Sequence, residues 1–433
     1  MPTVDELLAR RARHLPRATS LHYDRPLHIV RGEGTYLIDA DGTRYLDCIN
    51  NVSHVGHANP RVAEAACRQM RVLNTNARFL YEQLFDYVER LTDLLPDPLS
   101  ICFLVNSGSE ANELALRIAR AHSKRRGVVV LDGAYHGNTT SLIDISPYKF
   151  NGKGGEGRPP HVQIAATPDP YDGRFRGDAS GADYAQDVAD AFERAEQDGH
   201  PAGTFIAESL LGCAGQIDPP PGYLQAAYAA ARAAGAVCIA DEVQIGFGRM
   251  GTDFWGFQTV GQDVVPDIVT LGKPIGNGHP LGAVVTTPEI AESFATGMEY
   301  FNTYGGNPVS CVVGSAVLDV IEQDGLQEHA RLVGERLARG FAELAQRHSV
   351  IGDMRGHGLF RGVALVTDRE THTPATSLAR SLVQRLREDE QILLSLEGPG
   401  DNVLKLKPPM PFADSDADRL LEAIDRLLTA HTA

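Results

Sequence analysis

The sequence predicts an α/β protein, with a large domain on a mostly parallel central sheet and a small α+β domain formed by the N- and C-terminal segments. From Ile101 to about Thr287, short apolar runs alternate with helical stretches, the pattern of a parallel sheet wrapped by helices. Beyond Asp353 the pattern changes to three strand-like segments with amphipathic helices at about 377–391 and 414–429. Residues 28–49 read as a small meander with too little sheet to bury a face alone, so it is expected to pack on the C-terminal part. The expected boundaries are 1–59 for the N-terminal segment, 60–325 for the large domain and 326–433 for the C-terminal domain.

In the meander, Gly34–Asp39 and Thr43–Cys48 flank the turn signal Asp41-Gly42. Helices are expected near 60–72 and 80–95. The large sheet takes its strands from Ile101–Val105, Gly127–Leu131, Thr204–Ala207, Ala236–Ala240, Ile268–Leu271 and Gly282–Thr286. A glycine- and proline-rich excursion, 151–181, carries one more at Val162–Ala165. A helix from about Pro308 to Gln323 precedes another that starts near Leu326. Leu359–Leu365, Ile392–Ser395 and Asn402–Lys407 are the strand-like segments of the last domain.

The chain has 433 residues, of which 43% are hydrophobic, enough for a large core. Its formal charge of −16 would repel nucleic acid and anionic membranes, so an anionic substrate needs a local basic pocket. The six cysteines, at 48, 67, 102, 213, 238 and 311, show no C-x-x-C spacing, which is the usage of a reducing compartment. With no secretory leader or membrane-length apolar stretch, a cytoplasmic protein is expected, and no metal.

The chemistry centres on Asp267-Ile-Val-Thr-Leu-Gly-Lys-Pro-Ile-Gly-Asn-Gly-His-Pro-Leu-Gly282, where a β-branched run ends and Lys273 enters a glycine-rich turn. About thirty residues upstream, Ala236-Val-Cys-Ile-Ala-Asp-Glu-Val243 ends on carboxylates, a distance that fits one parallel strand and its crossover. Lysine and acid then sit at neighbouring strand ends. Strand Ile101–Val105 runs into Asn106-Ser-Gly-Ser-Glu-Ala-Asn112 and a helical pattern, which reads either as an anion site at a helix start or as an ordinary capping box of Ser107 with Glu110. After Leu131 come Tyr135, His136 and Gly137, where an aromatic ring serves either as a stacking shelf or as a half-buried amphipathic side chain. Glu208 ends another strand. A lysine nucleophile, an acid, an anion-binding helix start and an aromatic shelf together meet the needs of pyridoxal 5′-phosphate.

With these motifs the sequence resembles the class III aminotransferase family of fold-type I pyridoxal-phosphate enzymes, from about Arg25 to the end. The resemblance implies that Lys273 carries the cofactor covalently and that Asp241 pairs with its pyridine nitrogen. It places Gln244 and Glu208 near the ring hydroxyl, Gly108 and Ser109 on the phosphate beside Ser107, and Tyr135 on the ring face beside His136. Thr303, in Tyr300-Phe-Asn-Thr-Tyr-Gly-Gly-Asn307, would reach the phosphate held by a second subunit, which implies a homodimer with composite sites. Within the family, Asn74-Thr-Asn-Ala-Arg-Phe79, Ile145-Ser-Pro-Tyr-Lys-Phe150 and Leu404-Lys-Leu-Lys-Pro-Pro-Met410 resemble the branch of phospho-lyases acting on ethanolamine phosphate and phosphohydroxylysine.

By the same resemblance, transaminating members place an arginine at Lys405 to hold a substrate carboxylate, and many place at Cys213 a glutamate that pairs with it. A lysine is a point charge and not a bidentate fork. The period of two in Leu404-Lys-Leu-Lys407 puts Lys405 and Lys407 on one strand face, as an anion-facing pair or as a solvated face. Arg78 is a further candidate for the substrate phosphate, or else a structural ion pair. The expectation is a lyase that expels phosphate from a small phosphorylated amine. Its alternatives are amine transfer to a 2-oxo acid and a non-catalytic metabolite-binding protein.

Overall fold

The structure, a computed structural model, describes residues 1–261 and 263–432. At its centre lies a seven-stranded sheet in the order Ile101–Val105, Gly282–Thr286, Ile268–Leu271, Val237–Asp241, Ala202–Glu208, Gly127–Leu131 and Val162–Ala165. Gly282–Thr286 alone runs against its neighbours. The inner strands are buried along their whole length, which is why they read as unbroken apolar runs. Alternate residues serve opposite faces: Val128 and Val130 pack with Leu114 and Ile118 of helix Gly108–Ser123. Val129 and Leu131 join the other core with Val188 of helix Gly181–Gln197 and Leu224 of helix Tyr223–Ala233.

Two smaller sheets flank this core. Ile29–Glu33, Tyr36–Asp39 and Arg44–Asp47 form the meander, and Ile392–Leu393 joins it in parallel beside Arg44–Asp47. The third sheet orders Ile351–His357, Phe360–Asp368, Val403–Leu406 and Ser395–Glu397, with Thr373–Pro374 at the side. The expected single strand Ile392–Ser395 is therefore split between two sheets. The break falls at Leu394, which is fully buried and whose carbonyl accepts the Tyr23 hydroxyl at 3.1 Å. Strand Ile351–His357 was not expected, because only Ile351 is buried and the rest is half-buried without alternation. Fully buried Arg249 ties the parts together, donating to the carbonyls of Leu359 at 3.0 Å and Pro408 at 2.7 Å, with its guanidinium 3.2 Å from His54 Nδ1. Among the described residues no helix is long and apolar enough to cross a membrane.

Candidate active site

The parallel strands all point their carboxyl ends at one edge of the central sheet, where this architecture binds ligands. Glu208 and Asp241 are register partners there, and Asp241 is level with Thr270 on the next strand. The Asp241 carboxylate is buried but well held. Its Oδ2 accepts from Asn112 Nδ2 and His136 Nδ1, both at 2.8 Å, and its Oδ1 accepts the Val243 amide at 3.1 Å. Asn112 Nδ2 also donates to the His136 carbonyl at 2.7 Å, so one amide fixes both the acid and its histidine.

Beyond strand Ile268–Leu271, Gly272 lets the chain press on the helix start, since a Cβ there would lie 3.0 Å from the Gly108 Cα. Gly108 is needed in turn, because a side chain on it would meet Val243 at 2.7 Å. Lys273 opens a 3-10 turn with φ +30°, a strained value for a residue with a side chain. Burial pushes its ammonium below the ordinary lysine range, while Asp241, Cys213 and Glu208 pull the other way. The result is an amine that can act as a nucleophile or base closer to neutral pH.

Ser107 caps helix Gly108–Ser123, its hydroxyl accepting the Glu110 amide at 3.1 Å. Glu110 does not complete a capping box. Its carboxylate instead accepts the Asn106 amide at 2.6 Å and Asn106 Nδ2 at 2.8 Å. Gly108 and Ser109 thus line the cavity with first-turn amides that have no helical acceptor, the arrangement that holds a phosphate. Ser109 Oγ donates to Asn138 Oδ1 at 2.9 Å, bringing the loop after Tyr135 onto this helix start. Tyr135 packs edge-on against Tyr148.

The cavity so formed holds about 330 Å³ and gathers Ser107, Gly108, Ser109, Tyr135, His136, Glu208, Asp241, Gln244 and Lys273. Three buried polar atoms of its described lining residues lack partners, Glu208 Oε1, His136 Nε2 and Asn112 Oδ1. Its size suits a small cofactor, and its groups match pyridoxal 5′-phosphate: an acid for a ring nitrogen, an amine, helix amides for a phosphate and a free acceptor for a ring hydroxyl.

Four sequence-expected residues lie elsewhere. Thr303 is exposed and does not line the cavity of its own chain. Arg78 pairs with Glu299 at 2.6 Å, covers the Phe301 ring at 3.9 Å and lines a separate cavity of about 250 Å³. Lys405 is bonded to Glu397 at 2.6 Å. Lys407 is fully buried one residue past strand Val403–Leu406 and near enough to Lys405 for the two charges to repel, but it is bonded to Gln244 Oε1 as Lys405 is to Glu397, and neither lysine lines the cavity. The physical reason is the Lys407 amide, which donates to the Cys48 carbonyl at 2.8 Å and turns the chain toward the N-terminal segment. Sequence reasoning missed Asn112 and Glu397. A polar amide on the apolar face of a predicted helix was a usable signal for the first; nothing in the sequence marked the second.

A parallel-sheet edge with a lysine, a paired acid and a phosphate-binding helix start defines a pyridoxal-phosphate enzyme. Comparison with known proteins agrees: the profile of aminotransferase class-III matches residues 19–428, and the chain belongs to that family. The cofactor is accordingly pyridoxal 5′-phosphate. The chain is 52% identical to an alanine–glyoxylate aminotransferase 2-like protein of Drosophila melanogaster, over 98% of this chain and 87% of that one. It is 39% identical to ethanolamine-phosphate phospho-lyase homolog 1 of Caenorhabditis elegans, over 98% and 93%. The solved phospholyase from Arthrobacter in complex with phosphoethanolamine superposes with a TM-score of 0.92 at 40% identity, covering 98% of this chain and 99% of that one.

Proposed function

We propose that the protein is a pyridoxal-phosphate-dependent phospho-lyase that eliminates phosphate from O-phosphoethanolamine or a related phosphorylated amino alcohol. With water, phosphoethanolamine gives acetaldehyde, ammonia and inorganic phosphate. The observation that carries this reading is the charge around Lys273. Among the described residues lining its cavity there is no arginine, and the nearby cations are two lysines beside Cys213, the buried Lys407 and Lys405, of which Lys405 acts on Lys273. A monodentate cation suits a phosphate better than it suits the forked grip on a carboxylate that amino-acid transfer needs. The likeness to the Arthrobacter phospholyase supports the same substrate class.

When bound, the cofactor supplies the electron sink that acidifies the carbon bearing the substrate nitrogen. Asp241, held by Asn112 and His136, keeps a proton on the ring nitrogen facing it. Lys273 Nζ takes the proton from the substrate carbon. Lys405 holds the phosphate as its bond to the adjacent carbon breaks. Glu397 occupies Lys405 beforehand, so an incoming phosphate must displace a carboxylate.

Amine transfer is the second reading, favoured by the name of the Drosophila relative. Assays of phosphate release from phosphoethanolamine and of amine transfer from alanine to a 2-oxo acid separate the two. Phosphate release is expected to dominate; ready transfer with no release would sink the lyase. Lys405→Ala is expected to lower kcat/KM for phosphoethanolamine roughly ten- to a hundredfold, the loss of one charge-assisted contact. Glu397→Gln is expected to lower KM, because the carboxylate no longer competes for the ammonium.

The working unit in this reading is a homodimer. Segments 70–85 and 298–304 expose Leu80 (90%), Val72 (76%), Met298 (75%) and Tyr304 (71%), and Arg78 bridges the two segments through Glu299 and Phe301. Such a large exposed apolar surface suits a second copy of the chain. Thr303 and Arg78 lie on it, and in this reading they serve the partner's cavity. Sedimentation at the mass of a monomer would refute this.

A further inference from the structure

We propose that Lys407 is a positioning residue: acting through Gln244, it turns the free oxygen of Glu208 toward the cofactor without itself meeting cofactor or substrate. Its ammonium is fully buried, lies 3.0 Å from Gln244 Oε1 and sits 4.5 Å from the centre of the Phe360 ring. It does not line the Lys273 cavity, and among the described residues no carboxylate lies within 4.0 Å of it. As an ammonium Lys407 can only donate, and as a neutral amine it still carries hydrogens to give the oxygen 3.0 Å away. The Gln244 oxygen must therefore face Lys407, which leaves Gln244 Nε2 facing Glu208 Oε2 at 3.4 Å.

Glu208 Oε2 also accepts the Gly212 amide at 3.0 Å, whereas Oε1 has no partner. Two donors on one oxygen orient the carboxyl and present the other oxygen to whatever fills the cavity, which Glu208 lines. Gly212 is where the three heads meet. A Cβ on it would lie 2.8 Å from Gln244 Nε2 and 3.0 Å from both Glu208 Oε2 and Lys407 Nζ. Burial and the Asp241 charge push the Glu208 carboxyl up while His136 and Lys407 pull it down; burial and the Lys405 charge push the Lys407 ammonium well down against Glu208, Cys213 and Glu397, so the Lys407 charge also reaches Glu208 directly. A buried ammonium of this kind adds little to folding that an apolar side chain of the same length would not. What a methionine lacks is the donor that sets the amide of Gln244. Without it the amide is free to flip, Glu208 loses a donor and ionises less readily, and negative charge is withdrawn from the cofactor site.

The test uses holoenzyme and apoenzyme of Lys407→Met, Gln244→Leu and the double variant, and reads Tm, pyridoxal 5′-phosphate affinity and the pH midpoint of the bound cofactor's visible absorbance. Lys407→Met is expected to hold its Tm, to lose roughly tenfold in cofactor affinity and to move the midpoint down by about half a pH unit or more. Gln244→Leu should move both readouts in the same direction, and the double variant no further than Lys407→Met alone, since the amide step is shared and the direct charge is already lost in Lys407→Met. Additive shifts overturn the proposal. So does a Lys407→Met enzyme with unchanged affinity and midpoint, whether its defect is a lower Tm or a weaker hold on phosphoethanolamine. Where Lys407→Met does not fold, Gly212→Ala crowds the same three heads, and an unmoved midpoint in that variant overturns it equally. No readout here measures phosphate release, so failure leaves the proposed reaction standing.

Discussion

Lys273→Ala is expected to abolish turnover, by at least roughly a thousandfold, and to remove the visible absorbance of covalently held cofactor while leaving the far-ultraviolet circular dichroism unchanged. The substitution deletes the only lysine among the described residues lining the cavity and touches little else: Asp241 keeps its Asn112, His136 and Val243 donors, and the helix amides of Gly108 and Ser109 keep their place. Cofactor should still bind, more weakly and without a covalent link. Turnover retained in this variant would take Lys273 out of the chemistry. The wild-type pH profile carries a related expectation. Burial pushes the Lys273 ammonium below 10.5, so the amine form, and with it the rate, should appear on raising the pH at values lower than an exposed lysine allows. An acid limb at or above the ordinary lysine value would contradict that.

Asp241→Asn is expected to bind cofactor yet lose roughly a hundred- to a thousandfold in kcat. The carboxylate accepts three hydrogen bonds, two of them on one oxygen. An asparagine there can offer its oxygen to Asn112 and His136 only by turning its own amino group toward the Val243 amide, donor against donor. It cannot supply the negative charge that keeps a proton on a ring nitrogen. His136→Gln should be milder, because Asn112 still holds the acid. Measuring kcat beside cofactor affinity separates the effects, and near-normal kcat in Asp241→Asn would remove the acid from its assigned role.

Asp241, Glu208 and Lys273 were legible in the sequence for one physical reason. A parallel strand buried on both faces is an uninterrupted apolar run, so the first polar residue after it marks the mouth of the sheet. The turn after Val105 was readable from its small residues and helix periodicity. What the sequence did not reveal depends on where chain-distant segments meet. Leu-Leu continuity in 392–395 says that the segment is buried, not that its halves join different sheets. Period-two counting put Lys405 and Lys407 together, and their charges do reach each other, but it could not show that Glu397 holds the one and Gln244 the other. Glu397 is an ordinary glutamate until folding brings it onto Lys405. Arg78 and Thr303 were read as site residues, yet this chain alone puts them on its surface.

The short pairing of Ile392–Leu393 with Arg44–Asp47 has a consequence for how the protein is made. The ribosome releases the first strands of the meander long before their fourth member exists, and at roughly 5–20 residues per second the interval lasts on the order of tens of seconds. Until then Arg44–Asp47 is a bare edge, able to pair with a neighbouring nascent chain. A polypeptide cut short before Ile392 never closes it. The terminal sheet therefore closes only when the chain is nearly complete, and a truncated product keeps an open strand edge that the finished protein covers.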